Sequence, residues 1–226
     1  QTGLYPSKTG METNSFQTGC RTHELSDVPF LLNRRLESVG YRCGYTGKWH
    51  LGVGKDKTAT GEGKALLGIL EKGFLEVAPY IGRGCVPTEI GYIGDDFPGH
   101  GNGGWRFPQF EQYLKDNNLP LSIINQTTGK LPGDHSTVGE VTSPIESTIE
   151  YYLVERAKAI VDELSRDDQP FYFQLNFWGS HEPFFAPTKY LDMYRDVEIP
   201  ENPSFSEDVS DGPRIYNLMR RPEVSW

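Results

Sequence analysis

Helix, strand, polar loop, twice over in one chain: this pattern predicts an α/β fold, a mostly parallel mixed sheet sandwiched by helices. Three observations carry the prediction. Ile149, Leu153, Ala157, Ile160, Val161 and Leu164 fall on one face of a long helix. FYFQLNFW, Phe171 to Trp178, follows as a dense apolar run of strand length, apolar on both faces like a strand buried inside a covered sheet. A shorter unit of the same kind, helix then strand, occupies residues 27–48.

The elements follow in order. The first twenty-five residues are rich in Gly, Ser, Thr and Asn and read as loop. DVPFLLNRRLESVG then reads as a helix. Asp27 is its cap, Pro29 sits in its first turn, Val28, Leu32, Leu36 and Val39 form a stripe, and Gly40 stops it. YRCGYT is a short strand that runs out at Gly47-Lys48. Residues 54–142 are Gly- and Pro-rich with weak periodicity, and read as long excursions over the sheet edge with a short helix near Phe110 to Asn117. Ser143-Pro144-Ile145-Glu146 reads as a capping box with Pro at the first helical position. The long helix ends in SRDDQ, and the strand after it ends at Gly179-Ser180-His181. The tail after Tyr194 is polar and irregular.

Composition narrows the function classes. The chain has 226 residues, a length suited to one domain or a large part of one. A net charge of -9 argues against a nucleic-acid partner, because no broad positive field attracts phosphates. No apolar run approaches the ~18 residues of a membrane span. Cys20, Cys43 and Cys85 are widely spaced, which makes neither a disulfide framework nor a zinc site. Cys43 reads as a small buried hydrophobe in a strand, with Cys20 and Cys85 unassigned. Gln1 opens into TGLYP with no charged or apolar leader, and the whole reads as a segment of a longer protein.

In parallel sheets, sites gather at the carboxyl ends of strands. Lys48, His50 and His181 all sit there in this reading. In extended backbone alternate side chains share a side, so Lys48 and His50 point one way and Trp49 the other, into the core. Gly47 and Gly52 let the backbone come close to a ligand. A point ammonium suits anionic oxygens, and an imidazole suits proton transfer near neutral pH. Asp95-Asp96 in GDDFPGHG reads as a pair of solvated turn residues rather than a metal pair. Trp105 and Phe107, amid glycines, are candidates for a ring-stacking platform, and Asn125-Gln126-Thr127 fits a glycosylation acceptor. His23, His100 and His135 read as loop histidines, and the roles of His100, His135, Arg83 and Arg106 stay open.

GYRCGYTGKWHLG, Gly40 to Gly52, resembles the second signature of the sulfatase family, which ends in G-K-W-H-L-G. Cys43 stands where that family usually has Ser or Thr. Other pieces fall in the family's order. Thr2-Gly3-Leu4-Tyr5-Pro6 resembles the T-G-x-Y-P segment, and Glu71-Lys72-Gly73-Phe74 resembles R-G-F-D, with Leu75 in place of Asp. His181-Glu182-Pro183-Phe184 resembles H-x-P-[FLY], and Ala186-Pro187-Thr188-Lys189-Tyr190 resembles A-P-x-K-Y. The likeness covers about residues 1–55 and 143–195, and the middle diverges.

The resemblance implies an alkaline-phosphatase-like fold, incomplete here, with residues 1–226 part of a single sulfatase catalytic domain and 54–142 a divergent, loop-rich insertion. It implies hydrolysis of a sulfate monoester, aryl or carbohydrate, by a formylglycine nucleophile lying upstream of Gln1. It implies calcium, with ligands outside this segment and none within it. Lys48 then contacts sulfate oxygens, His50 orients or deprotonates the nucleophile, and His181 contacts sulfate near the leaving group. Residues 1–226 alone are expected to be inactive, and the resemblance favours a periplasmic, extracellular or lysosomal protein. The alternatives are a phosphonate or phosphate monoester hydrolase of the same superfamily and a non-catalytic sulfatase-like fragment.

Overall fold

The computed structural model describes residues 1–13, 21–22, 24–52, 86–98, 104–128, 137–202, 207–208 and 211–213. They fall into two compact units, 1–188 and 189–226. The first holds a four-stranded, all-parallel sheet built on β1 (Arg42–Trp49). β6 (Phe171–Asn176) lies along one edge of β1, from Arg42↔Phe171 to Gly47↔Asn176. On the other edge, β2 (Ile93–Gly94) and β3 (Phe97–Pro98) follow each other in one unbroken register against Gly44–Tyr45 and Lys48–Trp49. Within 54–142, then, the described residues do more than loop over the edge: they complete it. Strands of two residues are too short to leave a periodic signal.

The second sheet joins β4 (Ile123–Thr128) antiparallel to β5 (Thr137–Val141), and β5 parallel to β7 (Phe184–Pro187). Asn125 lies at the β4 bulge with φ 51°, exposed, and its amide donates to Glu140 at 3.3 Å. Helix and strand alternate around a mostly parallel sheet, as the sequence pattern predicts.

α1 (Pro6–Thr9) precedes β1, as does α2 (Leu32–Glu37), which is shorter than its sequence suggests. The expected stripe holds in part: Val28 and Leu36 pack against the core, but Leu32 is exposed and Val39 is 69% exposed, while Leu31 and Asn33 are buried. Asp27 does not cap. Its carboxylate takes the Arg34 guanidinium through two bonds, at 2.9 and 2.8 Å, so it is held away from the helix N–H groups. α3 (Pro108–Asp116) matches the expected short helix.

α4 (Ile149–Leu164) is the long helix. Ile149, Leu153, Ala157, Ile160 and Leu164 are buried as expected, with Tyr152 added and Val161 only half-buried. The expected capping box is displaced. Residues 145–147 form a 3-10 turn, and Thr148 caps α4 by accepting from the Tyr151 N–H at 3.3 Å. α4 covers one face of β1. A Cβ on Gly44 would stand 2.6 Å from Leu164 Cδ1, so the close approach requires glycine there. The other face of β1 packs Cys43, Tyr45 and Trp49 with Leu25, Leu31, Ile90 and Tyr92. Cys43 is the small buried residue the sequence implied, its thiol pushed up to about 11 by burial.

β6 departs from expectation. Read as buried on both faces, it is half-buried along most of its length, and Phe171 is 38% exposed. Among the described residues it has a strand partner on one edge only. A short helix, α5 (Thr188–Leu191), spans the division between the units, and the second unit, 189–226, continues in turns over 192–196 and a described tail without regular structure. Among the described residues no helix is long and apolar enough to cross a membrane.

Candidate active site

The parallel strands β1 and β6 end side by side. Gly47 makes that possible. Its φ is 102°, a left-handed value, and a Cβ there would lie 1.9 Å from the Asn176 carbonyl oxygen. Only glycine lets the two strand tips touch at this point. Just past them opens a cavity of about 520 Å³, lined by Lys48 and His50 from the β1 tip and by Asn176, Phe177 and Gly179 from the β6 tip.

Lys48 and His50 both line this one hollow. Trp49 between them is 1% exposed and packs edge-on to Tyr45 at 5.3 Å between ring centroids, with part of its surface also on the cavity wall. His181 stands two residues beyond Gly179 and is not among the residues lining the cavity. Its main-chain N–H bonds the Trp178 carbonyl at 2.9 Å, and its Nδ1 lies 2.8 Å from the Glu182 carbonyl. A carbonyl only accepts, so Nδ1 carries a proton. In the neutral ring Nε2 is then the unprotonated nitrogen.

Other candidates resolve differently. Trp105 and Phe107 do not form an exposed platform. Both are buried, Phe107 against Phe97 and Trp178, and Trp105 against Phe110 and Phe185. Gly104, beside Trp105, marks close packing rather than an open surface: a Cβ there would lie 2.7 Å from Ile149 Cγ1. Asp95 and Asp96 are not solvated turn residues. Asp95 accepts two bonds from Arg156 of α4, at 3.0 and 2.8 Å, and one from the buried Thr46 at 2.9 Å. Asp96 accepts from the Thr88 N–H at 3.0 Å and from the Thr88 hydroxyl. Both carboxylates are committed to the fold, which does not fit a metal pair. Among the described residues no three His, Cys, Asp or Glu side chains group as metal ligands. Arg106 is exposed. His23, Arg83, His100, His135, Cys20, Cys85 and the 71–75 segment lie outside the described residues.

Sequence reasoning missed Tyr45 and Asn176, which line the cavity beside Lys48. A signal existed: Gln174 and Asn176, two residues apart in a strand of large apolar and aromatic side chains, share one face. Glu150, on the first turn of α4, was also unremarked. Its Oε1 is the nearest neighbour of the space beside Gly179, and burial raises its carboxyl above the usual range.

A mostly parallel α/β sheet thus carries Lys48 and His50 at its carboxyl edge, beside one cavity. The comparisons give the family. The Sulfatase family model matches residues 1–211, and the chain belongs to that family. An uncharacterized sulfatase of Escherichia coli, YidJ, is 23% identical over 96% of this chain and 34% of its own length. A sulfatase of Formosa agariphila is 34% identical over 26% of this chain and 12% of its own. A multifunctional alkaline phosphatase superfamily protein of Trinickia caryophylli, PehA, is 28% identical over 49% of this chain and 24% of its own. The chain thus spans about a third or less of these relatives.

Proposed function

We propose that the intact protein hydrolyses a sulfate monoester, on an aryl group or a carbohydrate. The observation that carries this reading is the single cavity shared by Lys48 and His50 at the carboxyl ends of parallel strands. Membership of the sulfatase family supports it.

The chemistry follows from charge. A sulfate ester carries one negative charge, and more gathers on its oxygens and on the leaving oxygen as the S–O bond breaks. A fixed ammonium in a cavity stabilises that gain more than it stabilises the substrate. In this reading Lys48 holds the sulfate oxygens, and His50 orients the nucleophile or takes its proton. His181 lies beyond the cavity lining; to serve the leaving oxygen it acts as the imidazolium, giving up its Nε2 proton as the S–O bond breaks. In the same reading a formylglycine upstream of Gln1 would supply the attacking oxygen, and calcium, held by residues outside this segment, would offset the sulfate charge when bound. A compartment outside the cytoplasm belongs to the same proposal.

The test is paired assays of the intact protein on an aryl sulfate and an aryl phosphonate. Lys48→Ala and His181→Ala are each expected to lower sulfate turnover by at least ~100-fold. Near-wild-type rates in both variants remove the site. The relative named a multifunctional alkaline phosphatase superfamily protein favours a second reading, phosphonate or phosphate monoester hydrolysis. Turnover of the phosphonate with none of the sulfate selects it.

A further inference from the structure

Two donors from two strands meet on one main-chain oxygen beside the cavity. Asn176 Nδ2, at the end of β6, donates to the Lys48 carbonyl at 3.4 Å and to the Tyr45 hydroxyl at 2.7 Å. The Tyr45 hydroxyl donates to the same Lys48 carbonyl. Behind them a chain of neutral groups runs back along one face of β6. Gln174 Nε2 donates to Asn176 Oδ1 at 3.2 Å, and Gln174 Oε1 accepts from Tyr172 at 3.2 Å and from Gln1 at 3.1 Å. The arrangement has one polarity. Turning the Asn176 amide over would set its oxygen against the Lys48 carbonyl with no proton between them.

Such a device has a use at this place. Gly47, with its left-handed φ, turns the chain just before Lys48, so the direction of the lysine side chain depends on what holds that turn. Backbone pairing with β3 fixes one side, Lys48↔Phe97. The Asn176–Tyr45 pair fixes the carbonyl.

We infer that Asn176 and Tyr45 are positioning residues, a clamp that holds the Lys48 main chain so that its ammonium faces the hollow shared with His50. Neither acts on the reacting group by itself; both act through Lys48. A part-buried polar network of this kind favours one geometry, and a small misplacement at a reacting centre is costly in rate.

The kinetic arm of the test rests on the proposed sulfatase reaction. In the intact protein, Tyr45→Phe, which keeps the ring and removes the hydroxyl, and Asn176→Ala are each expected to lower aryl sulfate kcat about tenfold with KM changed less than about twofold. In a Lys48→Ala background the same two changes are expected to do nothing further, an outcome a general loss of structure would not give. Multiplying losses in that background overturn the clamp, as does a rise in KM alone for Asn176→Ala, which makes it a direct substrate contact. If Asn176→Ala fails to fold, Tyr45→Phe carries the cycle. A wild-type protein that turns over no sulfate fails the sulfatase reading alone. The same cycle is then read from vanadate affinity by calorimetry. Independent losses there, or no vanadate bound, overturn the clamp.

Discussion

β1 and β6 are neighbours in one parallel register, yet they live in different surroundings. β1 has strand partners along both edges and is packed on both faces, by α4 on one side and by Leu31, Ile90 and Tyr92 on the other. β6, richer in large apolar side chains, is half-buried, with Phe171 well exposed. Composition ranks the two strands the other way round. Burial is set by how many neighbours a strand has, and the residues that suit a central strand are small: Gly44 lets α4 close in and Gly47 lets β6 close in. At their common end the contrast becomes functional. β1 carries Lys48, with His50 just past its end, and β6 carries the Asn176 amide that donates to the Lys48 carbonyl.

The seam between the strands is where the comparison breaks most readily. Gly47→Ala is expected to cost at least ~3 kcal/mol, because the new methyl meets the Asn176 carbonyl at a left-handed φ. Denaturant unfolding of the intact protein measures it, and a cost below ~1 kcal/mol would show that the seam yields. Asp95→Ala tests how firmly α4 is fixed to β1, since Asp95 ties Arg156 to Thr46. Arg156 is partly exposed, so solvent screening holds the expected loss to about 2 kcal/mol by the same measurement. Phe171→Ala sharpens the contrast from the β6 side. For a side chain so open the expected loss is under ~1 kcal/mol, and a loss as large as that at Gly47 would erase the distinction between the strands.

The smallest effect concerns the loop after β6. Glu150 has its carboxyl raised by burial in the folded state. The folded protein then holds that proton more tightly than the unfolded one, so this group favours folding in acid and disfavours it once pH passes the ordinary carboxylate range. Glu150→Gln is expected to raise Tm at neutral pH, with the difference shrinking as pH falls below that range. A pH-independent difference would mean that packing rather than charge separates the two side chains.

Part of this was legible in the chain. The α4 stripe, the β1 and β6 strands and the short helix near Phe110 all follow from periodicity and apolar runs, which reflect local geometry. Lys48 and His50 were legible as a pair from their two-residue spacing at a strand end, and both line the one cavity. The ends of helices were less so. Asp27 and Ser143 both look like caps. Arg34 draws one away, and a 3-10 turn displaces the other, so that Thr148 serves instead. Trp105 and Phe107 read as open because glycines surround them, yet both are buried, and Gly104 brings α4 and the Trp178 ring close.

By itself the sequence determined the fold class, the order of the elements and the residue types at the two strand tips. Those depend on side-chain period and on backbone freedom, which are properties of neighbouring residues. The tertiary structure alone decided that β2 and β3 finish the edge of β1, that Asp95 is an ion-pair partner, and that Asn176 and Tyr45 converge on the carbonyl of Lys48. Each of these joins residues far apart in the chain. Such contacts depend on which strands lie side by side, and no local pattern encodes that.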